Sequence, residues 1–139
     1  MAELTAHRWP PIVRVISILM IGEALTFLLA SLLHLGIPIL PGFSQPRIIP
    51  AMIIEGLCWL FLAISLYAMF THKTWTWRIT VAAHVFASLG VLLGIYATNG
   101  GIRDEANFIY HRVILGVLVV TLALLATPGA RTTLGHRRA

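Results

Sequence analysis

The chain has 139 residues, 58% of them hydrophobic and 11% charged, and a mean hydropathy of +0.88. A soluble domain carries about 25% charged residues, so too little polar surface is present here to cover a water-facing globule. The net charge of +5 does not mark a nucleic-acid binder, because the cations flank apolar runs and form no basic stripe with interleaved aromatics.

Four apolar runs follow in chain order, over 12–35, 48–70, 79–98 and 108–127. Each is about long enough to cross a ~30 Å hydrocarbon core at 1.5 Å per residue. Gly36 and Pro38 stop the first, which exceeds the roughly 7–15 residues of a signal-peptide core and reads as a retained helix. Pro50 suits the opening turn of the second, and Asn99-Gly100-Gly101 stops the third. Asp104 and Glu105 favour the start of the fourth, and Pro128-Gly129 ends it. Short loops make consecutive helices antiparallel neighbours. The expected architecture is therefore an all-α, up-down four-helix transmembrane bundle, one domain over 1–139.

Of ten basic residues, Arg8, Arg14, Lys73, Arg78, Arg131, Arg137 and Arg138 fall at the termini and the middle loop. Arg47, Arg103 and Arg112 fall on the other side. The positive-inside rule then places both termini in the cytoplasm. Gly90 and Gly94 form a GxxxG on the third helix, which favours close packing within the bundle over a dimer face. A lone Cys58 excludes an internal disulfide and any mechanism that needs a cysteine pair. No P-loop, dinucleotide fingerprint, H-E-x-x-H or serine triad is present.

Ionisable groups within membrane helices are costly and mark functional sites. Five occur: Glu23, His34, Glu55, His84 and His111. Counted from the basic end at 1.5 Å per residue, His84 lies about 9 Å in and Glu23 about 13 Å. Glu55 and His111 lie about 24 Å in, and His34 about 30 Å. Two layers result. Glu23 and His34 are eleven residues apart and share one helix face with Thr26, Phe27 and Ala30. Glu55 and Cys58 share another face, as do Thr80, His84 and Ser88.

The outer layer admits a ligand site. His34, His111 and Glu55 can hold a transition-metal ion, or His34 and His111 can ligate a b-type haem. Arg112, Arg47 and Arg103 would then meet the propionates, and Phe27, Trp59 and Phe108 would wall the macrocycle. The plainer reading is mutual satisfaction, with Glu55 paired to His111 or Arg112 and no cofactor at all. In the inner layer, Glu23 and His84 suit a proton relay, or a single hydrogen bond that fixes helix register.

The segments Glu23-Ala24-Leu25 through Leu35-Gly36-Ile37-Pro38, Ile54-Glu55-Gly56-Leu57, Ala83-His84-Val85 and Tyr110-His111-Arg112 together resemble a group of small, uncharacterised four-helix bacterial membrane proteins. That resemblance implies the architecture and a bacterial inner membrane, and no activity. Tyr110-His111-Arg112 ahead of Ile114-Leu115-Gly116 is similar to ligand helices of haem A synthases and b561-type cytochromes, and Val81-Ala82-Ala83-His84 resembles their second ligand helix. The roughly 15 Å between His84 and His111 along the bilayer normal keeps one iron from using both. Glu23 is also similar to the coupling carboxylate of small multidrug resistance transporters, although Glu55, His84 and His111 depart from their pattern. Three functions are thus expected of this sequence. The leading one is a haem-binding protein for electron transfer or haem handling with a membrane redox partner. A proton-coupled transporter or channel using Glu23 and His84 is the second. The third is an accessory subunit of a larger membrane complex that packs through Gly90 and Gly94.

Overall fold

The computed structural model of the chain describes residues 9–39, 47–99 and 105–135. Among them the chain forms five helices and no strand: α1 Pro11–His34, α2 Ile49–Phe70, α3 Thr76–Asn99, α4 Glu105–Ala126 and α5 Pro128–Gly135. The first four are long and apolar enough to cross a membrane. The protein is a multi-pass helical membrane protein.

The helix ends follow from local chemistry. Pro11 opens α1 where its missing N–H costs nothing. At the other end Gly36 takes φ 87, its N–H reaches the Leu33 carbonyl at 2.9 Å, and the Ile37 N–H reaches Leu32 at 3.1 Å. This left-handed cap satisfies two carbonyls the helix leaves open. The same pattern closes α2 around His72 (φ 52), with Lys73 N–H on the Ala68 carbonyl at 2.9 Å. A histidine holds a conformation there that glycine adopts more cheaply.

Three boundaries depart from the apolar runs. α4 begins at Glu105 instead of 108. α3 begins at Thr76 instead of 79: the Ile79 N–H closes its first turn on the Trp75 carbonyl at 3.1 Å, and the Thr76 hydroxyl donates to the Lys73 and Ala68 carbonyls at 2.6 and 2.9 Å, tying the start to the preceding loop. Polar residues can start a helix that the hydrophobic run has not yet entered. Pro128-Gly129 ends α4 as expected but also opens α5, an element the sequence reading lacks. Thr127 is its N-cap, accepting the Ala130 N–H at 3.4 Å, with Pro128 at the first helical position.

α1 to α4 pack each against the next, and α1 meets α4 to close the ring along its least extensive seam. α5 folds back onto α1, α3 and α4. One apolar cluster, including Phe27, Cys58, Leu62, Val91 and Leu118, fills the middle of the bundle. A second, with Val13, Ile16, Met20, Met69, Leu125 and Leu134, fills the end beneath α5. The outer faces are apolar too: Ile18 is 69% exposed, Leu89 61% and Val113 61%. Large apolar side chains facing outward on each of α1 to α4 are what a hydrocarbon solvent requires and water penalises. The buried polar residues, among them Glu23, His34, Glu55, His84, His111 and Thr121, point inward instead.

Gly90 and Gly94 also face inward. A Cβ at Gly90 would lie 2.9 Å from the Ile54 side chain of α2, and one at Gly94 would collide with the His111 ring of α4. The small-residue stripe therefore serves contacts within the bundle. An outer face for a partner subunit, as the accessory-subunit expectation needs, is not formed by these two glycines.

Candidate functional site

Near the centre of the bundle, α1, α3 and α4 each contribute to one polar cluster. Glu23 Oε2 lies 2.9 Å from His84 Nε2, and Thr121 Oγ1 lies 2.7 Å from Glu23 Oε1. His84 Nδ1 lies 2.7 Å from the Thr80 carbonyl oxygen. Glu23 and His84 side chains are both 0% exposed. The histidine sits on α3 with its own preceding turn as acceptor, so one helix fixes the ring and a second supplies the acid.

The proton count at this cluster follows from donor and acceptor chemistry. A carbonyl can only accept, so His84 Nδ1 must donate to Thr80. Nε2 and Glu23 Oε2 then need one proton between them, either on the acid or on the ring. In both placements the pair is neutral overall, which is the cheapest state for ionisable groups in a low-dielectric interior. The pair is a holder for a single proton.

The second cluster lies toward the far end of the helices. His34 Nδ1 is 2.6 Å from Glu55 Oε2, joining α1 to α2, and the Tyr110 hydroxyl of α4 donates to Glu55 Oε1 at 3.4 Å. Both His34 and Glu55 are buried. Cys58, one turn from Glu55, is packed among apolar side chains of the central cluster.

His111 does not join them. Its Nδ1 donates to the Asn107 carbonyl at 2.8 Å, and its ring fills the notch left by Gly94 on α3. Among the described residues no group of three or more His, Cys, Asp or Glu side chains stands together to hold a metal ion. The expected trio of His34, His111 and Glu55 is thus divided: two meet, and the third is drawn away because glycine gives the ring a place against another helix. Neither His111 nor Arg112 pairs with Glu55. Arg112 is exposed, its guanidinium 3.3 Å from the centre of the Phe108 ring and its Nη1 donating to the Phe108 carbonyl at 3.2 Å. The stem of Arg47 lies over Gly36 at the end of α1, and Arg103 lies outside the described residues.

A groove of about 540 Å³ runs along the α1–α4 seam. Ile18, Gly22 and Thr26 of α1 and Tyr110, Val113 and Val117 of α4 wall it, and Glu23 borders it from behind, its carboxyl closed off from the surface. The walls include exposed helix surface, so the groove opens outward on the face that hydrocarbon would cover. It borders both clusters, through Glu23 of the central one and Tyr110 of the other. Tyr110 and Thr121 were not singled out from the sequence as site residues. Tyr110 carried the signal of adjoining His111, and Thr121 carried none beyond being a hydroxyl in an apolar run.

No protein-family model, curated protein or solved structure matches the chain.

Proposed function

We propose that the protein is a proton-coupled membrane carrier for a small, lipid-soluble molecule that bears a cationic or hydrogen-bonding group. One observation carries this reading: Glu23, whose carboxyl meets His84 at 2.9 Å, also borders an apolar groove open on the outer face, so that parting of α1 and α4 would bring the buried carboxyl to the groove. An apolar cleft with one convergent polar group is the usual form of a small-molecule site. A cation entering the groove would replace the proton at Glu23, keeping the buried charge balanced. Proton and ligand then compete for one carboxylate, and a gradient of either drives the other. The cations at the α5 end support an orientation with both termini cytoplasmic, and the membrane we propose is the bacterial inner membrane.

Proteoliposomes with an imposed pH gradient and tetraphenylphosphonium as a lipophilic-cation probe test the proposal. Uptake driven by the gradient is expected in the wild type and in Glu55→Gln, and is expected to be lost in Glu23→Gln. Wild-type uptake by Glu23→Gln would overturn it.

A second reading keeps b-type haem. His34 and His111 each engage Nδ1 with an oxygen, Glu55 in one case and Asn107 in the other. That leaves Nε2 of His34 for a metal, the arrangement that commonly orients ligating imidazoles; Nε2 of His111 is pressed into the Gly94 notch, so its ligation requires the ring to turn out of it. Protein expressed with added haem would then show a Soret band that His111→Ala shifts or removes. Its absence excludes the reading.

A further inference from the structure

The basic end of the bundle carries a second concavity, independent of the groove. Thr74 and Trp75 just before α3, and Trp77 and Arg78 at its start, face Arg131 and Thr132 of α5 across about 520 Å³. The local fold sets up this juxtaposition. Thr127 and Pro128 start α5 directly after α4, and the new helix carries Arg131 back over α3. The Trp77 indole N–H donates to the Leu125 carbonyl at 3.0 Å, fixing the ring, and the Arg131 guanidinium lies 5.0 Å from that ring's centre. Arg131 is therefore seated by an aromatic face and keeps its N–H groups for another acceptor.

Among the described residues the charge at this end is one-sided. The described carboxylates are Glu23, Glu55 and Glu105; histidines engage the first two, and Glu105 begins α4 at the opposite end. Among the described residues, Arg14, Lys73, Arg78 and Arg131 form no ion pair with a carboxylate. Two of these cations line one pocket beside two indoles, one of them (Trp75) 41% exposed. Arginine forks match phosphate oxygens in geometry as well as charge, and tryptophan favours the boundary between headgroup and hydrocarbon. A ligand that satisfies both is a phosphate attached to an apolar body.

We propose that this pocket binds the phosphate of an anionic phospholipid headgroup. Arg78 and Arg131 supply the charged donors, Thr74 a hydroxyl, and Trp75 and Trp77 the apolar wall against the glycerol and upper acyl region. Binding there would tie α5 to the membrane surface and to the start of α3.

Native mass spectrometry of the delipidated protein, titrated with phosphatidylglycerol or phosphatidylcholine, tests the assignment. Wild-type protein is expected to retain phosphatidylglycerol at least about tenfold more tightly than phosphatidylcholine. Each of Arg78→Gln and Arg131→Gln is expected to weaken phosphatidylglycerol about fivefold and leave phosphatidylcholine unchanged. Arg14→Gln removes the same charge from an exposed site outside the pocket and is expected to retain selectivity. Equal losses in all three variants would mean diffuse attraction and overturn the pocket. Displacement of the lipid by inorganic phosphate at equal concentration would overturn the lipid as its source. Helical circular dichroism of each variant in neutral lipid verifies that the bundle is intact, and Arg78→Lys, which keeps the charge and loses the fork, is expected to recover only part of the loss; full recovery would overturn the fork's role.

Discussion

Replacing Glu23 by glutamine separates the proton at the central cluster from its hydrogen bonds. His84 Nδ1 donates to the Thr80 carbonyl, so Nε2 of the neutral ring is an acceptor. A glutamine amide can donate to that nitrogen along the 2.9 Å line now held by Glu23 and still accept from Thr121 along the 2.7 Å line. The bonds persist without a transferable proton. The expected destabilisation is about 0.5–1.5 kcal/mol, the difference between a charge-assisted and a neutral hydrogen bond. Glu23→Ala removes both bonds. Thr121 keeps its 3.0 Å contact to the Val117 carbonyl, but His84 Nε2, on a side chain 0% exposed, is left alone. An unsatisfied buried group together with the vacated volume costs about 2–4 kcal/mol. The two variants should thus differ by about 2 kcal/mol. Reversible unfolding in mixed micelles measures this difference, and imidazole nitrogen shifts should report one tautomer of His84 in Glu23→Gln. Equal destabilisation by glutamine and alanine would refute the proton count.

Three further outcomes follow from the same geometry. Gly94→Ala should destabilise the bundle by about 1–3 kcal/mol through overpacking, because its Cβ meets the His111 ring; in a double-mutant cycle His111→Ala should relieve most of that cost, and full additivity would contradict the contact. Gly36→Ala should cost about 1–2 kcal/mol, from left-handed φ and from Arg47 Cγ 3.0 Å away from the new Cβ, whereas His72→Gly should be neutral or slightly stabilising by thermal melting. Gly22→Leu should leave unfolding within about 1 kcal/mol of wild type, since a Cβ there meets nothing within 4 Å, yet should block probe uptake by filling the α1–α4 groove; unaltered uptake would place the binding site elsewhere.

The architecture was legible because hydrocarbon demands long apolar helices, and proline, glycine and charge punctuate their ends. Depth counting also set Glu23 near His84, and it put Glu55 in one layer with His34 and His111, since helix rise converts sequence position into height in the bundle; it favoured His111 or Arg112 as the partner of Glu55, where the structure has His34. It could not assign azimuth. His111 lies in the outer layer by height, but its ring turns to Gly94 on α3, and that choice depends on where a neighbouring helix lacks a side chain. Thr121 escaped notice because a hydroxyl in an apolar helix normally bonds its own preceding turn, as Thr121 also does with Val117. α5 escaped because Pro-Gly reads as a stop, and its role as a start depends on Thr127 just before it.

The two His–Glu clusters do not form one relay. Glu23 and His34 share a face of α1 but stand eleven residues apart, about 16 Å along the axis. Buried Phe27 and Ala30 occupy that face between them, and Cys58, Val91 and Ile114 pack across from it. A proton hop needs hydrogen-bonded neighbours about 3 Å apart, and the hydroxyls of this stretch do not link the clusters: Thr26 donates to the Gly22 carbonyl and buried Ser88 Oγ has no partner among the described residues. A conducting wire through the bundle is therefore poorly matched to the packing. Coupling at Glu23 instead requires the carboxyl group to meet one side of the membrane and then the other by movement of the helices around it. The α1–α4 seam is the least extensively packed junction of the ring. It contains the groove and one wall of each cluster, so it is where such a movement would break the fewest contacts.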